Sequence, residues 1–86
     1  MADIVKYVRD EEGTPFGVVV AVDKESIGFS ICHPKDKWNR GIGKLIARNR
    51  ALKHFSERKT TVSDKTYKLL TPVLTDVKRR AEKYFK

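Results

Sequence analysis

Residues 16–22, Phe-Gly-Val-Val-Val-Ala-Val, constrain this chain more than any other stretch. The run is dominated by β-branched residues and reads as a strand. Successive strand residues point to opposite faces, so Phe16, Val18, Val20 and Val22 share one face and Gly17, Val19 and Ala21 the other. A strand that is apolar on both faces belongs in the middle of a sheet. The flanking segments supply its neighbours. Residues 4–9 (IVKYVR) and 27–32 (IGFSIC) have strand composition, and the polar segments 10–15 (DEEGTP) and 23–26 (DKES) have turn composition. The first 33 residues therefore predict a three-stranded antiparallel meander with short connections.

After Pro34 the period changes. A proline cannot donate to a ladder and holds the preceding residue extended, so the sheet ends there. In residues 37–59 the apolar positions Trp38, Ile42, Leu45, Ile46, Leu52 and Phe55 have helical spacing and fill one side of a wheel, with Phe55 at its edge. That side is expected to be buried. Asp36 and Asn39 are both acceptable N-caps. Gly41 and Gly43 each cost about 1 kcal/mol in a helix interior, so either the helix starts after them or they allow close packing on the sheet. A second helical segment has an apolar seam at Tyr67, Leu70, Leu74, Val77, Ala81 and Tyr84, which keeps its phase across Pro72. Pro72 either kinks a continuous helix, which the unbroken phase favours, or separates two helices, with Thr71 as the second cap.

The predicted fold class is α+β: a three-stranded antiparallel meander followed by two helices packed on one face, in the order β-β-β-α-α. The chain of 86 residues makes a single domain, with the meander at 1–33, a basic helix at 36–60 and a C-terminal helix at 63–86. A domain of this size has little core, so its last seam has two uses. It either packs on the sheet or forms a homodimer through Tyr67, Leu70, Leu74, Val77, Ala81 and Tyr84.

Charge narrows the class of partner. Residues 1–36 carry four bases against seven acids, a net −3; residues 37–86 carry fifteen bases against four acids, a net +11. The segment 37–59 alone holds eight bases and one acid. Lys37, Arg40, Lys44 and Arg48 line one flank of the first helix, with Arg50 and Lys53 further round. A solvated helix face usually mixes signs, whereas this one is almost purely basic. The pattern predicts phosphate contact, with salt-sensitive binding to nucleic acid. An acidic protein surface and simple solubility are the other readings.

No set of catalytic residues is complete. Gly41-Ile42-Gly43-Lys44 lacks both the glycine spacing and the Ser or Thr of a phosphate-binding loop. Cys32 and His33 are adjacent strand residues and so point apart. With one cysteine and two histidines in the chain, a zinc site lacks ligands. Phe29 and Trp38, with Tyr7, Phe16 and Phe55, could stack on bases, but at these spacings aromatics belong to a core. No metal, cofactor or enzymatic activity is expected. A lone cysteine precludes an internal disulfide and fits a reducing compartment such as cytoplasm. No apolar run approaches the ~18 residues of a membrane span, and the first ten residues lack the pattern of a signal peptide.

Residues 28–38 (GFSICHPKDKW) and 43–51 (GKLIARNRA) resemble small uncharacterised proteins carried by bacteriophages and mobile elements. These share a G-x-S-x-C-x-P-K-D-x-aromatic run and a helix of the form G-x-x-I-A-x-x-R-A. The likeness covers about the middle third of the chain. It implies a phage origin more than a mechanism, with residence in the host cytoplasm. It points to an accessory protein that binds DNA, or one that binds and inhibits or redirects a host protein such as a polymerase subunit or a defence nuclease.

Overall fold

The computed structural model describes residues 3–32, 37–52 and 64–85. Three strands, β1 (Ile4–Arg9), β2 (Pro15–Ala21) and β3 (Ile27–Ile31), form an antiparallel sheet in the order β1-β2-β3. Two helices follow, α1 (Arg40–Leu52) and α2 (Asp64–Tyr84). The fold is α+β, with the β-β-β-α-α order expected from the sequence, and β2 is the central strand.

The turns are built by aspartates. Asp10 Oδ1 accepts the Glu12 and Thr14 amides, each at 2.9 Å, and Gly13 supplies the positive φ of 85° that the turn needs. Asp23 Oδ1 accepts the Glu25 and Ser26 amides at 2.9 and 2.7 Å. Register follows from these two turns, with Tyr7 opposite Val18 and Val18 opposite Ser30. The pairing of β1 with β2 slips between Val8 and Arg9 and leaves Phe16 as an extra residue. That bulge re-aims its ring, so Phe16 packs with Val19 and Ala21 rather than with Val18.

The two helices do not share a face of the sheet, which corrects the expected packing. Val8, Val19, Ala21 and Phe29 pack against Leu70, Leu74, Val77, Ala81 and Phe85 on the α2 side. Val18 and Val20 pack with Ala47 of α1 and with Trp38, Val5 and Tyr7 on the other side. The reason is β2 itself: both of its faces are fully buried and apolar, so each requires a cover. α1 covers the opposite face, over Gly28, Val18 and Val20.

α2 runs unbroken through Pro72, which is exposed. Thr71 Oγ1 donates to the Tyr67 carbonyl at 2.8 Å in the turn next to the proline. Leu70, Leu74, Val77 and Ala81 are buried against the sheet, whereas Tyr67 and Tyr84 are about half exposed. The central seam residues are thus spent within the molecule. A dimer through Leu70, Leu74, Val77 and Ala81 would have to open the core.

One ion-pair cluster ties α2 to β1. Asp76 accepts Lys6 Nζ at 2.8 Å, Arg79 at 2.8 Å and Arg80 at 2.9 Å. The Lys6 hydrogen bond, more than the nearby arginines, holds the Asp76 carboxyl below its ordinary range, against the opposing effect of partial burial.

Candidate functional site

α1 begins at its cap. Asn39 Oδ1 accepts the Ile42 amide at 3.0 Å, and its carbonyl accepts the Gly43 amide at 2.9 Å. Both glycines lie inside the helix. Asp36, the other candidate cap, lies outside the described residues. The side-chain cap also occupies an amide that an anion at the helix start would otherwise use.

The face α1 buries is made of its smallest residues: Gly43, Ala47 and Ala51, at intervals of four. They lie over Gly28 and Ser30 of β3 and over Val18. A Cβ on Gly28 would stand 2.5 Å from the Ala51 backbone nitrogen, and closer still to the Ala47 carbonyl oxygen. A Cβ on Gly43 would press on the Trp38 ring at 3.0 Å. Backbone therefore packs almost directly on backbone. Trp38 closes one end of this contact, edge-on to Tyr7 with ring centroids 6.3 Å apart.

This packing overturns the expected orientation of α1. Ile42, Leu45, Ile46 and Leu52 are not its buried side; they are 57, 58, 37 and 50% exposed. Large side chains cannot fit where the helix sits so close to β3. Phe55 lies outside the described residues.

The basic flank keeps its row. Lys37, Arg40 and Lys44 are exposed. The Arg40 guanidinium lies 5.3 Å from the Tyr7 ring centroid, a cation–π contact that fixes its direction. Arg48 is half exposed and donates to Asp3 Oδ2 at 2.8 Å. Arg50 departs from the row: it is half-buried and donates to the Phe29 carbonyl of edge strand β3 at 2.9 Å. That bond is a structural tie between α1 and the sheet. Lys53 lies outside the described residues, as do His33 and His54. Of the six sequence candidates, Arg40, Lys44 and Arg48 recur at intervals of four on α1, Lys37 is exposed ahead of its cap, and Arg50 is diverted to the sheet.

Sequence reasoning missed Asp3 and Tyr7, which hold Arg48 and Arg40. Alternation along β1 places Tyr7 on the Val18 face, and the apolar residues on both faces of β2 were the signal that this face too has a cover. The other candidate chemistries gain no support. Phe29 is buried under α2, so it offers no platform for a base. Gly41-Ile42-Gly43-Lys44 is helix, not loop. Cys32 is half-buried and its amide donates to the Phe16 carbonyl at 2.7 Å. Among the described residues, no group of three or more His, Cys, Asp or Glu side chains could hold a metal, and no helix is long and apolar enough to cross a membrane.

Comparison with known protein families, with curated proteins and with solved structures finds no match to the chain.

Proposed function

We propose that this is a phage-type accessory protein of the host cytoplasm that binds nucleic acid, DNA in preference to RNA, through the flank of α1. One observation supports the reading: Arg40, Lys44 and Arg48 stand exposed at intervals of four on a helix that contains no acidic residue, with Lys37 exposed just ahead of its cap. From Arg40 to Arg48 the row rises about 12 Å, the axial length over which one DNA strand presents three or four charges. Each phosphate the row neutralises releases counterions, and this gain falls steeply with salt. Contacts to phosphates position a protein without reading bases, so weak sequence preference is expected. The protein acts by binding rather than by catalysis.

The reading is tested by fluorescence anisotropy with a random-sequence duplex, a single strand and an RNA hairpin. Binding to the duplex in the low-micromolar range or tighter, and more weakly to the hairpin, is expected. An absence of binding to all three at low salt would end the nucleic-acid reading.

A second reading, a host protein as target, is favoured by a different observation. Ile42, Leu45, Ile46 and Leu52 stand exposed beside the basic row, and a phosphate backbone offers them nothing to bury against. A stoichiometric complex with one host protein, recovered from nuclease-treated lysate, would support it.

A further inference from the structure

α1 and α2 cover opposite faces of the sheet, so the charge on α2 lies on the far side of the sheet from the basic row of α1. The crest of α2, the line opposite Leu70, Leu74, Val77 and Ala81, is basic at both ends. At 100° per residue, Lys65, Lys68, Pro72, Arg79 and Lys83 all fall within about 30° of that line. All five are exposed, and no acidic residue shares the sector. Asp64 and Glu82 lie about 70° round on one flank. Asp76 lies on the other, where Lys6, Arg79 and Arg80 already surround it. Lys65, Lys68 and Lys83 make no ion pair among the described residues.

We propose that α2 carries a second phosphate-contact surface and that the protein bridges two DNA duplexes, one on each side of the sheet. The inference rests on the nucleic-acid reading of α1 and extends it. Charge chooses the occupant. The crest has no large apolar side chain to bury, so it does not suit a dry protein interface or insertion into a bilayer. Lysines without carboxylate partners suit a phosphate backbone, where the contact is wet and driven by counterion release. The crest is the weaker of the two surfaces. Its cations stand in pairs towards the two ends of the helix, with Pro72 and Thr75 between them, whereas those of α1 recur at every turn. α1 therefore takes the first duplex. Copies side by side on that duplex present their crests together, and a second duplex is held by the sum of contacts that are each weak.

The test is a capture assay with the full chain: one duplex on beads, a labelled second duplex in solution, and one salt concentration throughout. Binding to a single labelled duplex is measured alongside by fluorescence anisotropy. In Lys68→Gln/Lys83→Gln, capture is expected to fall at least about fivefold while single-duplex affinity stays within about twofold, because only the multivalent contact is lost. Lys24→Glu, in the turn between β2 and β3, lowers the net charge by the same amount away from both surfaces and is expected to capture as the parent does. Both variants are checked for unchanged thermal unfolding. No capture by the parent, despite single-duplex binding, overturns the bridging proposal and leaves the α1 reading standing. Capture unchanged in the α2 variant overturns it too and would assign bridging to a dimer of the chain. An equal loss in Lys24→Glu reduces the effect to net charge and overturns it as well. A parent that binds no single duplex ends the α1 reading, and this inference with it.

Discussion

A Cβ on Gly28 would lie 2.5 Å from the Ala51 nitrogen, and both atoms it would meet belong to backbone. Backbone cannot rotate aside as a side chain can, so Gly28→Ala must lift α1 from β3. Overpacking of this kind costs about 1–3 kcal/mol or more, and in a domain this size each kcal/mol lowers Tm by roughly 4–8 °C. A melting temperature unchanged in Gly28→Ala would contradict the backbone contact between α1 and β3. Asp76 makes a second prediction, with a sign. Its folded pKa is lowered from the ordinary value of 3.8, so the folded state holds this proton less tightly than the unfolded state does. The resulting stabilisation is fully present above the unfolded value and is lost as pH falls through the folded one. The gap in urea midpoint between the protein and Asp76→Asn should therefore be widest near neutral pH and close under acid. A gap that widens on acidification would contradict the assigned partners.

At the scale of elements, the strands and the α2 seam were legible because their patterns are two-sided or strictly spaced. β1 is found at the bounds read from the sequence, and Leu70, Leu74, Val77 and Ala81 form the contact that their spacing announces. The face of α1 was not legible in the same way, because large apolar residues ordinarily mark the buried side. Here the contact is set by size, and small residues on β3 (Gly28, Ser30) meet small residues on α1 (Gly43, Ala47, Ala51). Two signals were available. The four-residue spacing of Gly43, Ala47 and Ala51 matches a close helix contact, and a β2 strand apolar on both faces asks for two covers. The candidate site suffered from the same misreading. The basic row survives because its spacing of four is independent of which neighbouring face is buried. Arg50 was lost because its carbonyl partner is on another element. Substitution distinguishes the two orientations of α1. Ile42→Gln and Leu45→Gln should shift stability by no more than about 0.5 kcal/mol, whereas Ala47→Leu should cost at least about 1–3 kcal/mol. The reverse ranking in chemical denaturation would return the large residues to the core. Loss of the cap in Asn39→Ala should cost about 1 kcal/mol in the same assay.

At the scale of the molecule, helices on opposite faces present two basic clusters among the described residues. One is the row on α1. The other is the end of α2, where Lys78, Arg79, Arg80 and Lys83 crowd together and Asp76 pairs with both arginines. These surfaces are separated by the sheet, so one rigid duplex segment does not engage both at once. The α1 row is the more available of the two. Lys37 and Lys44 make no ion pair among the described residues, and Arg40 is held by an aromatic ring rather than a carboxylate. The measurement that tests this account most directly is the salt dependence of duplex binding for the protein and for Lys37→Ala/Arg40→Ala/Lys44→Ala. With three to four phosphates neutralised, log K against log salt should slope at about −3 to −4, and the triple variant should retain a slope near −1 or lose binding. A triple variant with the slope of the parent would place the contact on α2 or elsewhere and contradict the assignment of α1 as the nucleic-acid surface.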